Sequence, residues 1–130
     1  MHIGEIESAL KELSEKAFNA QTFFFDLMEA FGAPVSTVKR LRDGSSGKSD
    51  VEDAFIWKSR AHFITRPGAD IQGMLDEVAA SKKTGSQKIQ FLIATDGEMI
   101  GVRNLKNGAS EFIKIADLGF NYDILLPLGG

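Results

Sequence analysis

The stretch between residues 61 and 95 constrains the fold most, because it reads as a strand, a helix and a second strand in succession. Residues 70–83 place apolar side chains at helical spacing behind Asp70, a natural N-cap, which predicts a helix. Residues 88–95 form a long apolar run, typical of a buried central strand. A helix between two strands of one sheet predicts a crossover, so strands 61–66 and 88–95 are expected to be parallel. The apolar helical positions are Ile71, Met74, Leu75 and Val78.

Further strands surround this unit. Asp96-Gly97 is a strong signal for a two-residue hairpin, and Asn107-Gly108 indicates a second turn. An acidic cluster opens the strand before residue 61, and a short basic turn joins that strand to the next. The additional strands are predicted over residues 51–57, 98–105 and 110–115.

The N-terminal part of the chain reads as mainly helical. Apolar residues at helical spacing predict a first helix over residues 3–16 and a second over 19–31, with Asn19 as its N-cap. Gly32 ends the second helix. The β-branched segment 35–41 is predicted as a short strand.

These elements give the order α-α-β-β-β-α-β-β-β in a chain of 130 residues, a length that indicates one domain. The first three strands are expected to form a meander. The fold class is therefore α/β, a mixed β-sheet flanked by helices on both faces. The tail 116–130 is apolar, and it either packs back on the core or is the cut end of a longer protein.

Two motifs suggest chemistry that the sequence does not support. Gly47-Lys48-Ser49 resembles the end of a P-loop, but the glycine required five residues earlier is Arg42. His62 alternates with its neighbour Phe63 along a strand, so it should face away from Phe63, and we expect a satisfied or surface histidine without a catalytic role. His2 lies far from it in sequence, so the two histidines do not predict a zinc site.

Charge is unevenly distributed in a chain whose net charge is −3. Residues 36–66 carry seven Lys or Arg against four Asp or Glu. This basic segment is either an ordinary solvated face or a surface that contacts DNA phosphates without reading sequence. Trp57 lies beside it, as a core anchor or as an exposed platform, and we favour the core. The DNA-binding candidates, expected to form one basic rim, are Lys39, Arg40, Arg42, Lys48, Lys58, Arg60 and Arg66.

Several local strings resemble the N-terminal domain of MmeI-type restriction–modification proteins, which join an endonuclease domain to an adenine-specific DNA methyltransferase. The same layout is more loosely similar to the N-terminal domains of type I restriction subunits. The similar strings span most of the chain and are Ala20–Gly32, Val51–Ile56, Gly68–Ile71, Phe91–Asp96, Val102–Leu105 and Glu111-Phe112.

This resemblance implies the restriction-endonuclease-like PD-(D/E)xK fold, whose chemistry needs a divalent cation held by an Asp and a Glu, with a Lys beside it. Asp53 matches the family's first ligand, so it is a weak metal candidate. The Glu position is Phe63 and the Lys position is Thr65. Phe cannot bind Mg²⁺, and Thr offers one neutral oxygen to a cation that prefers charged ligands. We therefore expect no metal and no catalytic residue here, with Asp53, Phe63 and Thr65 as a vestigial site.

The resulting hypothesis is a non-catalytic N-terminal domain of a DNA adenine methyltransferase, acting as a scaffold or weak DNA-contacting module. We expect no cofactor here and S-adenosylmethionine in the parent chain, beyond residue 130. The expected partners are DNA, other domains of the same chain and a possible homodimer. An active Mg²⁺-dependent endonuclease rebuilt around Asp50, Glu52 and Asp53 is one alternative. A protein-interaction or dimerisation module that uses the apolar tail and the first helix is the other.

Cysteine content and hydropathy indicate the cellular compartment in which the protein is expected. The chain has no cysteine, which excludes disulfides and agrees with a reducing compartment. No apolar run approaches the length of a membrane span. We expect a cytoplasmic protein without a membrane partner.

Overall fold

A computed structural model describes the backbone of residues 3–129 and the side chains of residues 3–126. His2 and Gly130 lie outside the described residues. The helices are α1 (Ile3–Glu15), α2 (Phe23–Ala30), α3 (Val35–Arg42), α4 (Ile71–Ala79) and α5 (Lys82–Ser86). The strands are β1 (Ala54–Trp57), β2 (Ala61–Thr65), β3 (Phe91–Thr95), β4 (Met99–Asn104) and β5 (Ser110–Lys114). Two 3-10 segments follow, Ile115–Asp117 and Asp123–Gly129.

The five strands form one mixed sheet in the order β1-β2-β3-β4-β5. β2 and β3 are parallel, as the crossover predicts, and every other neighbouring pair is antiparallel. The crossover runs through α4, whose N-cap Asp70 accepts a hydrogen bond from the Gly73 amide at 2.8 Å. The predicted α/β class with a mixed, helix-flanked sheet is confirmed.

Each face of the sheet has its own apolar core, because neighbouring residues of a strand point to opposite faces. Phe63 and Ile93 face the layer formed by α1, α2 and α3. Ile64 and Leu92 face α4. The same alternation separates Phe63 from His62, so the expected orientation of His62 away from the Phe63 face is confirmed.

The predicted strand over residues 35–41 is wrong, because this segment is helix α3. Val38 and Leu41 lie one helical turn apart and are both buried in the core that contains α2. β-branched residues prefer strands only weakly, and burial of this apolar pair outweighs that preference. The three-strand meander is therefore also wrong, and the sheet begins with the β1–β2 hairpin.

Two helix boundaries also differ from expectation. α2 begins at Phe23 with Thr22 as N-cap, while the Asn19 side chain accepts from the Gln21 amide at 2.9 Å in the preceding turn. The predicted helix 70–83 divides in two, because Ser81 caps a separate helix α5 by accepting from the Lys83 amide at 3.2 Å.

The C-terminal segment packs back on the domain. Leu118, Tyr122 and Leu125 are buried in the same core as α1, whereas Phe120 is 74% exposed. No helix within residues 3–129 is long and apolar enough to cross a membrane.

Candidate functional site

Asp53 lies in the turn before β1, at one end of the β1–β2 hairpin. Its φ of 64° is the left-handed conformation, which Asp tolerates better than most residues. The Thr65 amide donates to the Asp53 carbonyl at 3.1 Å. The Asp53 carboxylate is ion-paired with Arg66, whose Nε lies 3.2 Å from Oδ2. The candidate metal ligand therefore already has a cationic partner from its own protein.

Arg66 ties this turn to α4. Its two terminal nitrogens contact both Glu77 carboxylate oxygens, at 3.0 and 2.6 Å. One of them also donates to the Glu52 carbonyl at 2.9 Å. Hydrogen bonds to Glu77 and then to Asp53 raise the pKa of Arg66 above its ordinary value, and the Arg66 hydrogen bond lowers the pKa of Glu77. Arg66 is thus a structural cross-link between residues that lie far apart in sequence.

Phe63 is the residue expected from the resemblance to stand in place of the nuclease Glu. The side chain is fully buried. Its ring stacks on Phe55 with centroids 4.7 Å apart and planes 12° apart, and it contacts Phe24 at 4.9 Å. A carboxylate here would be surrounded by aromatic rings and removed from water.

The residues at this end of the hairpin do not fit a divalent cation. Thr65 is neutral, Phe63 is apolar, and Asp53 is paired with Arg66. Within the described residues, no group of three or more His, Asp or Glu side chains could hold a metal ion. An open cleft of about 600 Å³ remains beside Asp53, lined in part by Phe25 and Phe55.

A second pocket, of about 530 Å³, lies at the opposite end of the hairpin. Since each strand residue adds about 3.3 Å, the length of β2 separates the two ends by roughly 15 Å. The pocket is bounded by α3, the loop 43–49, β1 with its following turn, and α5. Its basic lining residues are Arg40, Lys48, Lys58 and Lys83.

These four side chains make no ion pair within the described side chains, residues 3–126. No carboxylate lines the pocket. Two acids lie nearby. Asp43 interacts electrostatically with Lys39 and Arg40, and Asp50 interacts in the same way with Lys83. The pocket therefore has a local excess of positive charge in an acidic chain.

Backbone geometry holds the loop 43–49 against β1. The Ile56 amide donates to the Gly47 carbonyl at 2.8 Å, and Lys48 forms a bridge with Phe55. Gly47 has φ 73°, and a Cβ there would collide with the Leu41 side chain and the Ile56 carbonyl. Only glycine allows this close approach, which brings Lys48 to the pocket.

Contacts on the other side position Lys83. Its Nζ donates to the Lys48 carbonyl at 2.9 Å. Asp50 accepts a hydrogen bond from the Ser81 hydroxyl at 2.5 Å, and this bond lowers the pKa of Asp50. Two hydrogen bonds therefore join residues 48–50 to the beginning of α5.

His62 is fully buried, and it contacts Ser49 and Thr84, the neighbours of Lys48 and Lys83. The Thr84 hydroxyl donates to the Val78 carbonyl at 2.6 Å, so it accepts from His62 Nδ1 at 3.0 Å. His62 Nε2 then accepts from the Ser49 hydroxyl at 2.6 Å. Burial lowers the pKa of His62, although the Asp50 charge opposes the shift. The expectation of a satisfied histidine is confirmed, because both ring nitrogens have a hydrogen-bond partner.

The predicted single basic rim is divided among several places. Arg40, Lys48 and Lys58 meet at the pocket. Arg42 instead pairs with Asp26 at 3.0 Å and Glu29 at 2.8 Å. Lys39 is exposed elsewhere on α3, Arg60 lies over the Trp57 ring, and Arg66 is at the far end of the hairpin.

Lys83 is the pocket residue that sequence reasoning missed. It lies outside the basic segment 36–66, at the end of the predicted helix 70–83. Ser81, a good N-cap residue, was the available signal that a new helix begins there.

The chain was compared with known proteins in three ways. No curated protein and no solved structure matches it. The sequence model of the family described as "MmeI, N-terminal domain" matches residues 1–130, the whole chain. This protein therefore belongs to the family of MmeI N-terminal domains.

Proposed function

We propose that this domain contacts DNA through the basic pocket without cleaving it, as the N-terminal module of a restriction–modification protein. The observation that carries this proposal is the convergence of Arg40, Lys48, Lys58 and Lys83 on one concavity. The second part of the proposal, that the nuclease site is degenerate, rests on the Phe63 ring, which is buried and stacks on Phe55.

Phosphate contact follows from the electrostatics of the pocket. Lys and Arg side chains bind DNA largely by releasing the counterions that surround phosphates. The chain as a whole is acidic, with a net charge of −3, so DNA would be repelled from most faces and attracted to this one. Such contacts orient a protein on the duplex and do not read its sequence.

The proposed loss of cleavage is argued from the residues around Asp53, at the opposite end of the hairpin from the basic pocket. Phosphodiester hydrolysis in this fold needs a cation held by charged oxygens. Asp53 is the sole acid left at the family positions, and Arg66 pairs with it. The domain would serve as a scaffold or clamp, and S-adenosylmethionine-dependent adenine methylation would belong to another part of the parent protein.

Fluorescence anisotropy of a labelled duplex over a salt series tests DNA contact. We expect weak binding at about 50 mM salt that falls steeply as salt rises. The double variant Lys48→Glu, Lys83→Glu should abolish it. The control is the double variant Lys106→Glu, Lys114→Glu, which makes the same charge change at exposed positions outside the pocket. It should retain most of the binding. Equal losses in both variants, or no binding by the unaltered protein at low salt, would overturn the proposal.

Incubation with supercoiled plasmid and Mg²⁺ or Mn²⁺ tests the absence of cleavage. We expect no nicking. Nicking that disappears in Asp53→Ala would show that the domain is a live nuclease. Nicking that persists in Asp53→Ala would indicate a contaminating enzyme, and the preparation would then be repurified and tested again.

A further inference from the structure

Trp57 lines the same pocket as the four basic side chains. It is the last residue of β1 and is partly buried, with one part of the ring packed against the core. The Arg60 guanidinium lies over the ring, 5.2 Å from its centroid. Arg60 is not among the described residues that line the pocket. Trp57 therefore combines a core contact with a partly exposed position in the pocket lining.

The lining combines three kinds of group. An aromatic surface is available at Trp57, and positive charge comes from Lys48 and Lys83 among others. Hydroxyl and amide groups are contributed by Thr37, Ser46 and Gln87. A ligand that satisfies all three needs a flat ring system, a polar edge and a phosphate. A nucleotide has this chemistry, and a cavity of about 530 Å³ lies within the usual range for small-ligand sites.

Paired duplex DNA cannot use the Trp57 surface. The faces of its bases are covered by neighbouring bases in the stack, so a duplex presents mainly phosphates and groove edges. An unpaired base has a free π-face, and proteins that bind single strands stack such bases on aromatic side chains beside a basic groove.

We infer that the pocket binds an unpaired nucleotide of DNA, with its base on Trp57 and its phosphates at Lys48 and Lys83. This inference rests on the proposed DNA contact and makes it more specific. The ligand would be a strand end, a gap or an extruded nucleotide, and fully paired duplex would bind more weakly through the same cations.

Trp57 is the only tryptophan in the chain, so its fluorescence reports on this pocket alone. The protein would be titrated with oligothymidylate and, separately, with a blunt-ended duplex of the same length. We expect the single strand to quench Trp57 and to bind about tenfold more tightly than the duplex, a ratio within the range of one base–aromatic stack.

Variants separate stacking from charge. Trp57→Leu, measured by anisotropy of labelled strands, should lose about tenfold in single-strand affinity and leave duplex affinity unchanged. Trp57→Phe keeps an aromatic ring and should retain part of the preference for single-stranded over duplex DNA. It replaces Trp57→Leu in the test if circular dichroism shows that the Leu variant folds poorly. Equal affinity for both DNAs, unaffected by Trp57→Leu, would overturn the nucleotide site and leave the proposed duplex contact standing. Binding of neither DNA would overturn both.

Discussion

Ser49 Oγ lies 2.6 Å from His62 Nε2, and this hydrogen bond joins the loop that carries Lys48 to the centre of the sheet. The other ring nitrogen of His62 contacts Thr84, the neighbour of Lys83. A single buried imidazole thus spans the two sides of the basic pocket. The first prediction concerns its titration.

Acidification should destabilise the protein through His62. Burial lowers the pKa of His62 in the folded state below the ordinary 6.5. The unfolded chain therefore binds more protons in this range, and stability falls as the pH drops below about 6.5. Asp50 and Lys83 are the charged groups that act on the ring, in opposite directions. Urea unfolding at a series of pH values measures the effect.

Two variants identify the source of that pH dependence. His62→Gln should cost about 1–3 kcal/mol near neutral pH and should remove most of the slope below pH 6.5. Ser49→Ala should cost about 1 kcal/mol and keep the slope, because His62 remains buried. An unchanged slope in His62→Gln would assign the dependence to other groups.

The close approach at Gly47 should make it much less tolerant of substitution than Gly44. Both have a positive φ, 73° and 77°, but an added Cβ meets Leu41 and Ile56 at Gly47 and nothing at Gly44. Gly44→Ala should therefore cost about 1 kcal/mol, from the backbone conformation alone. Gly47→Ala should cost about 2 kcal/mol more, because the loop must move. Urea unfolding compares the two variants, and equal costs would mean that the loop adapts freely.

Restoring the nuclease residues should not restore a nuclease. Phe63→Glu with Thr65→Lys would bury a carboxylate among Phe24 and Phe55. We expect a loss of about 4 kcal/mol or more, from the missing ring and the desolvated charge. Thr65→Lys alone should be mild, because Thr65 is only partly buried. Unfolding curves and plasmid nicking with Mg²⁺ measure both outcomes, and a stable double variant that cleaves DNA would contradict the prediction.

Arg66 should contribute a small, salt-sensitive stabilisation. Arg66→Met removes the contacts to Asp53 and Glu77, which are roughly half exposed, so the expected loss is small at low salt and smaller at high salt. Arg66→Lys should recover little of it, since Lys cannot pair with Glu77 through two nitrogens.

The Arg66–Glu77 ion pair should also depend on pH. The pKa of Glu77 is lowered by its hydrogen bond to Arg66, so the Arg66–Glu77 coupling should be complete above the ordinary Glu pKa and should be lost as the pH falls through the lowered pKa of the folded protein. A double-mutant cycle with Glu77→Gln measures the coupling. A coupling that persists in strong acid would mean that the contact does not depend on charge.

Much of the sheet could be predicted because its signals are local. Asp96-Gly97 produced the expected hairpin between β3 and β4, and Asp70 capped the crossover helix. The parallel pairing of β2 with β3 followed from the connection between them. The substitution of Phe63 and Thr65 at the nuclease positions was also readable, by counting from Asp53. Each of these depends on a short stretch of chain and on general rules of geometry.

The candidate site depended on contacts between distant residues. Lys83 reaches the pocket because its ammonium meets the Lys48 carbonyl, 35 positions away. Arg66 lies apart from the predicted rim because it directly follows β2, and its side chain there pairs with Glu77 and Asp53. The segment 35–41 became helical because Val38 and Leu41 are buried beside α2. Sequence by itself determined most of the strands, the crossover helix and the family. Only the tertiary structure decided which charges converge, because ion pairs and burial depend on distances that folding creates.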